Sequence, residues 1–280
     1  MSQYLWTKLR ARLQFIGSTH GANYNWLFLP GGPGLGSESL STLTKNLKLP
    51  GTIWHLDLPG DGSNNTPNDE HHFARWSDAL LEAVSTLKNV ILVAHSTGGM
   101  YALATPKLEK MLIGLVLMDS APDSSWQKKF MEHAKHHPIK NTKKLQMQYG
   151  KNPDNNLLKK ITIASASYSF TKKGLRQGIA LFKSLPFNYK TCEWSGKHFD
   201  QTYKAKWVPK RIPTLILTGE KDQIIPLHFF TQSKKFKRKN IVFREIKNAG
   251  HFPWIENSKD VVAVFNEYTR KLLKNQGKKK

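Results

Sequence analysis

The chain is predicted to be an α/β domain: a mostly parallel central sheet with helices on both faces and an inserted helical segment. Three observations carry this. Short apolar runs without polar alternation recur along the 280 residues, as strands covered on both faces require. Segments with helical spacing separate them. Ser96, Asp222 and His251 each stand just after one of the apolar runs, where loops at strand ends carry chemistry.

The strands are predicted at 11–16, 26–29, 52–56, 90–94, 114–118, 213–217 and 241–246. Between them, Phe73, Trp76, Leu80, Leu81, Val84 and Leu87 have the spacing of one helix face, and 259–273 reads as a closing helix. The stretch 122–206 breaks the rhythm. It is polar and lysine-rich, with candidate helices at 123–135, 156–167 and 172–185. The predicted organisation is therefore a core formed by 1–121 and 207–274, a helical insertion at 122–206, and a basic tail at 275–280.

A hydrophobic fraction of 39% is ordinary for one sizeable domain with an insertion. No apolar run has the length of a signal-peptide core or a membrane span, and the default expectation is a cytoplasmic protein. The single cysteine, Cys192, rules out an intramolecular disulfide and agrees with a reducing compartment. With no Cys cluster and no H-E-x-x-H, neither a metal nor a cofactor is expected. His133, His136 and His137 lie among lysines and read as a solvated helix face. The net charge of +23 attracts anions, but the lysines are spread along the chain, with clusters at 234–239 and 278–280. No zinc-finger, RRM or basic-zipper pattern accompanies them, so a generally solvated basic surface is expected ahead of any binding role, with weak electrostatic binding to anionic surfaces as the alternative and no dedicated nucleic-acid module. Oligomeric state is left open.

The densest chemistry lies in 90–100, where an apolar run drives into His95-Ser96-Thr97-Gly98-Gly99 and a helical segment follows. A strand-to-helix turn this sharp needs small residues around a nucleophile, and Ala94, Gly98 and Gly99 supply them. Downstream, the strand at 213–217 ends in a loop carrying Asp222, and the strand at 241–246 is followed by Asn248-Ala-Gly-His251. Upstream, an apolar strand opens into Pro30-Gly-Gly-Pro-Gly-Leu-Gly36, and Asp57-Leu-Pro-Gly-Asp-Gly-Ser63 forms a second glycine turn.

Taken together, these segments resemble the α/β-hydrolase superfamily over nearly the whole chain apart from the insertion. The elbow matches G-x-S-x-G with Ala94 at its first position, and the chain order Ser96, Asp222, His251 is the one this superfamily uses. The glycine loop is similar to the H-G-G-P-G oxyanion loop of proline iminopeptidase-related members, with Pro30 in place of the histidine, which bears on how the loop is anchored. The segment from Asp57 to Ser63 resembles the superfamily's D-x-P-G-x-G-x-S turn, whose expected job is to hold its loop clear of the pocket.

The resemblance implies a Ser96 nucleophile, a His251 base, an Asp222 that orients it, and oxyanion donors in the backbone N–H groups of Gly32 and Thr97. Asp119 and Asp123 stand as alternative acids. The insertion takes the place of a cap, in which Phe182, Phe187 and Trp194 are candidates for an apolar substrate pocket. A serine at the elbow excludes the alkyl-transfer chemistry of relatives that carry aspartate there. The implied activity is carboxylic ester hydrolysis through an acyl-enzyme. Proline iminopeptidase-like aminopeptidase activity is the runner-up, weakened by the few cap acids, Glu132, Asp154, Glu193 and Asp200, available to hold an ammonium group. A non-catalytic ligand-binding or scaffold member of the fold is the alternative from another class.

Overall fold

Period-2 alternation of large apolar side chains organises the sheet. A computed structural model of the chain describes residues 3–65, 70–140 and 142–277. Among them, β1 (Tyr4–Trp6), β2 (Arg12–Thr19), β3 (Asn25–Leu29), β4 (Gly51–Asp57), β5 (Val90–His95), β6 (Leu112–Met118), β7 (Thr214–Gly219) and β8 (Ile241–Ile246) form one sheet. Its order is β1-β2-β4-β3-β5-β6-β7-β8. The first two pairings are antiparallel, and every pairing from β4 to β8 is parallel. On β3, Leu27 and Leu29 enter one hydrophobic cluster while Trp26 and Phe28 enter the other; on β5, Leu92 and Ala94 alternate with Ile91 and Val93 in the same way. Each such side chain contributes about 1.5–3 kcal/mol when fully buried. The two clusters lie on opposite faces of the sheet, so both faces must be covered by helices.

The covering helices are α1 (Ser41–Asn46), α2 (Glu70–Phe73), α3 (Trp76–Ser85), α4 (Thr97–Ala104), α5 (Ser125–His136), α6 (Thr142–Lys151), α7 (Asn155–Ala164), α8 (Leu175–Ser184), α9 (Tyr189–Ser195), α10 (His228–Thr231), α11 (Pro253–Glu256) and α12 (Ser258–Gly277). Five of them, α5 to α9, fall between β6 and β7 as the inserted helical region. No helix among the described residues is long and apolar enough to cross a membrane.

Several elements depart from the sequence reading. The helix expected over 73–87 is broken after Phe73, where the Arg75 N–H donates to the His72 carbonyl. The break lets Phe73 meet Trp194 edge-on at 5.7 Å while Trp76 stacks on Tyr101 at 4.2 Å. The unpredicted β1 is a short exposed edge strand, held by Arg12 lying 5.3 Å above the Tyr4 ring. The unpredicted α6 buries no residue. The last helix runs to Gly277 rather than stopping at Leu273, and Lys278, Lys279 and Lys280 of the expected tail lie outside the described residues.

Candidate active site

Ser96 occupies the turn between β5 and α4 with φ 51 and ψ −122, a conformation that costs a non-glycine residue free energy and persists only when its surroundings enforce it. They do so from both sides. The Ser96 N–H donates to the Met118 carbonyl at 2.8 Å, and the Ser120 hydroxyl donates to the Ser96 carbonyl at 2.9 Å. The two glycines after Thr97 are required by close approach: a Cβ on Gly98 would strike the Pro30 carbonyl, and one on Gly99 would lie 2.5 Å from Ser120 Oγ. Ala94 at the usual first glycine position is fully buried and tolerated.

The loops after β7 and β8 bring the other two side chains to the serine. His251 Nε2 lies 3.0 Å from Ser96 Oγ, and His251 Nδ1 lies 2.8 Å from Asp222 Oδ2. With Nδ1–H donated to the carboxylate, the Nε2 lone pair faces the serine hydroxyl, the tautomer a general base needs. The other Asp222 oxygen, Oδ1, accepts the Ile224 and Ile225 N–H groups at 2.8 and 3.1 Å, which fixes the carboxylate plane. All three residues are buried, Ser96 at 9% exposure being the most accessible. This is the geometry of a serine-hydrolase catalytic triad, formed by the three residues that the sequence singled out.

Residues that the sequence reading gave no role complete the frame. His95 is buried, and its Nε2–H donates to the His251 carbonyl at 3.0 Å, holding the backbone of the triad histidine. Burial, with His251 nearby, pushes its pKa well below the ordinary histidine value, so it acts as a neutral donor. Glu256 bridges the same loop to the inserted region: it accepts the Gly250 N–H at 2.6 Å and the Thr171 N–H at 2.8 Å, while the His251 N–H donates to the Ser169 carbonyl at 2.8 Å. Its only sequence signal was an acid two residues beyond a buried tryptophan, too weak to single out.

The glycine loop lies directly over the nucleophile, since a Cβ on Gly31 would come within 2.6 Å of Ser96 Cβ. The Thr97 hydroxyl donates to the Gly32 carbonyl at 3.2 Å, tying together the two residues expected to supply oxyanion donors. Anchoring, left open by Pro30, comes from the turn that follows β4. Asp61 accepts the Gly34 N–H at 2.8 Å, and Asp57 accepts the Ser37 N–H at 2.6 Å and its hydroxyl at 2.9 Å. The turn expected only to stay clear of the pocket thus braces the glycine loop. Burial pushes the Asp61 carboxyl up to about 8; Asp57 is also raised, by burial and then by Glu38, against the opposing effect of Arg12 at 2.8 Å.

Of the pocket candidates, Phe182 is buried against Phe170 and Phe252, and Phe187 is buried with Lys159 Nζ 5.7 Å from its ring centre. Trp194 meets Phe73 edge-on at 5.7 Å and packs against the other hydrophobic cluster. Asp123 forms an isolated antiparallel backbone bridge with Lys204, and its Oδ1 accepts the Ser125 N–H at 3.0 Å. Asp119, in contrast, lies beside the triad. Among the described residues the one cluster of metal-ligating types is Asp119, Asp222 and His251, within 4.8 Å of one another. His251 Nδ1 is already committed to Asp222 there. His133 is partnered by Gln223, while His136 and His137 each bond a backbone carbonyl of their own helix.

Residues 26–264 match the alpha/beta hydrolase family, and the chain belongs to it. No curated protein matches by sequence. Among solved structures, the chain is similar to a proline iminopeptidase-related protein from Thermus thermophilus, at 17% identity and a TM-score of 0.73 over 97% of this chain and 98% of that one. It is also similar to a thermophilic esterase from Thermogutta terrifontis, at 18% identity and a TM-score of 0.69 over 97% and 99%. An esterase from Exiguobacterium antarcticum matches at 15% identity and a TM-score of 0.70 over 96% and 100%.

Proposed function

We propose that the protein is a serine hydrolase that cleaves a carboxylic ester through an acyl-enzyme. The observation that carries this is the hydrogen-bonded line Ser96, His251, Asp222 with links of 3.0 and 2.8 Å. His251 takes the Ser96 proton as Oγ attacks the acyl carbon, Asp222 holds the imidazolium, and the Gly32 and Thr97 N–H groups receive the oxyanion. The absence of an acceptor for either amide among the described residues supports that assignment. Protonated His251 then passes its proton to the leaving alcohol, and a water activated by the same base releases the acid. Residues 122–206 act as the cap in this reading. Phe182 shapes the pocket from behind by backing Phe252, whose ring is 5.5 Å from His251, with Phe187 and Trp194 as further walls.

Ester cleavage is favoured over release of an N-terminal proline because three of the four cap acids are engaged elsewhere. Glu132 pairs with Lys129, Asp154 caps α7, and Asp200 accepts the Ser195 hydroxyl. That leaves little to hold a substrate ammonium. For partners, the reading includes weak binding to anionic surfaces. A groove of about 490 Å³ at the start of β7 and β8, the end of the sheet away from Ser96, is lined by Arg211, Lys239, Lys271 and Lys274. A cytoplasmic location remains part of the proposal, supported by the lone Cys192, whose thiol burial pushes up to about 12.

The test is fluorophosphonate labelling of the protein, Ser96→Ala and His251→Ala, with p-nitrophenyl esters and proline p-nitroanilide as substrates. Labelling lost in both variants, with ester turnover above anilide turnover, is expected. Folded but unlabelled protein would favour the scaffold reading, and anilide preference the aminopeptidase reading.

A further inference from the structure

A second carboxyl group is built into the acid arm of the site, and the proposed reaction as described leaves it idle. Asp119 follows β6 directly, is fully buried, and takes φ 46, a left-handed conformation for a non-glycine residue. Its backbone N–H is fixed to the Leu217 carbonyl at 2.9 Å, and its Oδ1 accepts the Gly219 N–H at 2.9 Å. Its Oδ2 is buried with no donor among the described residues. One oxygen from each aspartate and one ring nitrogen of His251 lie within 4.8 Å of one another.

Two buried carboxylates this close cannot both stay ionised beside a single imidazole. The donors decide which one keeps the charge. Asp222 is met by three N–H groups, from Ile224, Ile225 and His251, whereas Asp119 is met by one. The proton therefore falls to Asp119, and an Oδ2 that carries it is no longer an orphaned acceptor but a donor with a carboxylate beside it. Burial and then Asp222 push the Asp119 carboxyl well above its usual range, in the same sense. The titratable groups that face it are Asp222 from the loop after β7, His251 from the loop after β8, and Glu256 from α11.

We infer that Asp119 is a positioning residue whose Oδ2–H is donated to Asp222, and that it takes over the His251 Nδ1–H when Asp222 is lost. The acid arm is then a carboxyl pair sharing one proton rather than a single aspartate. No atoms are exchanged with substrate: the shared proton stays between the two carboxyl groups while His251 cycles. The takeover rests on the serine-hydrolase reading, whereas the location of the proton does not.

The test compares the protein with Asp222→Asn, Asp119→Asn and the double variant, by ester kcat/KM across pH and by infrared difference spectra. Loss of the acid from an ordinary triad costs about 10⁴-fold in kcat. Asp222→Asn is expected to lose only about 10²-fold, and the double variant about 10⁴-fold. Asp119→Asn alone should lose less than about ten-fold and displace the acidic limb of the pH profile. Equal activity of Asp222→Asn and the double variant would overturn the takeover. Should the double variant not fold, Asp119→Ser, which keeps a small polar group near the Gly219 N–H, replaces Asp119→Asn. In the infrared, Asp119→Asn should remove a protonated-carboxyl band at neutral pH; removal of a carboxylate band instead would overturn the shared proton, whatever the activity. A Ser96→Ala control with unchanged turnover would refute the hydrolase reading separately, leaving the infrared result to decide the state of Asp119.

Discussion

Replacing Gly34 with alanine tests whether the cap and the glycine loop are one mechanical unit. Gly34 has φ +90, and a Cβ there would lie 2.5 Å from the backbone carbonyl oxygen of Asn188, the residue that opens α9. The Asn188 N–H also donates to the Gly34 carbonyl at 3.0 Å, so the cap cannot retreat without breaking that bond. A left-handed conformation costs an L-residue about 1–2 kcal/mol, and forcing an extra carbon into a packed site costs about 1–3 kcal/mol. The sum, about 2–5 kcal/mol, corresponds to a fall in Tm of roughly 5–15 °C for a chain of this size. Because Gly34 is two residues from the Gly32 amide, the shift should also move the proposed oxyanion donor, and complete loss of such a donor costs about 10²–10³ in kcat. A drop of at least about ten-fold in kcat with little change in KM is expected. Differential scanning fluorimetry and ester kinetics read both effects. A Gly34→Ala protein that melts and turns over like the wild type would refute the coupling. Asn188→Ala, which keeps the carbonyl but loses the side-chain bond to the Gly60 carbonyl at 2.9 Å and the cap bond from the Lys190 N–H at 3.2 Å, should cost about 1–3 kcal/mol.

Other perturbations separate the remaining supports. Arg12→Ala strips Asp57 of the guanidinium 2.8 Å away and should destabilise by about 3–5 kcal/mol in urea unfolding; a change under about 1 kcal/mol would mean that the pair is idle. His55 is buried and its pKa is lowered to about 4, so as pH falls through 6.5 only the unfolded chain gains its proton and stability is lost down to about 4. The stability gap between His55→Gln and the wild type should therefore shift in favour of the variant by about 2 kcal/mol between pH 7 and pH 5, and a constant gap would contradict this. Asp61 has the opposite sign. Its folded pKa of about 8 exceeds the ordinary 3.8, so the native state holds the proton and stability falls as pH rises between these values. Asp61→Asn, which still accepts the Gly34 N–H, should gain Tm on the wild type from pH 5 to pH 8.5; parallel curves would refute it.

The parallel sheet and the triad were legible because both write themselves locally. Buried strands such as 90–94 and 213–217 need unbroken apolar runs, and Ser96, Asp222 and His251 each sit within a few residues of a strand end. The frame around them was not legible, because its contacts are long-range and its residue types ordinary. Nothing near Asp61 in sequence says that it will accept a bond from Gly34, 27 positions earlier. His95 was in plain view within the elbow, yet its partner is the carbonyl of His251, 156 residues away. The short α9 carried a readable start in Asn188, whose side chain accepts the Lys190 N–H, but its seven residues give no periodicity to find. Trp194 was grouped with the phenylalanines on composition alone. Only the fold seats it against Phe73 and the other hydrophobic cluster.

The stitching of the cap divides it into two parts with different freedom to change. From Ser165 onward it is sewn to the catalytic loops, through Ser169 to His251, Thr171 to Glu256, and Asn188 and Thr191 to the turns at Gly34 and Gly60. Helices α5, α6 and α7 bury no residue among those described, and α5 reaches the acid loop only through the exposed bond from His133 to Gln223. An exchange of Ser125–Ala164 for another sequence can therefore re-specify what enters the site while leaving the attacking geometry in register. The same exchange carried past Ser165 would rewrite the enzyme's rate rather than its taste.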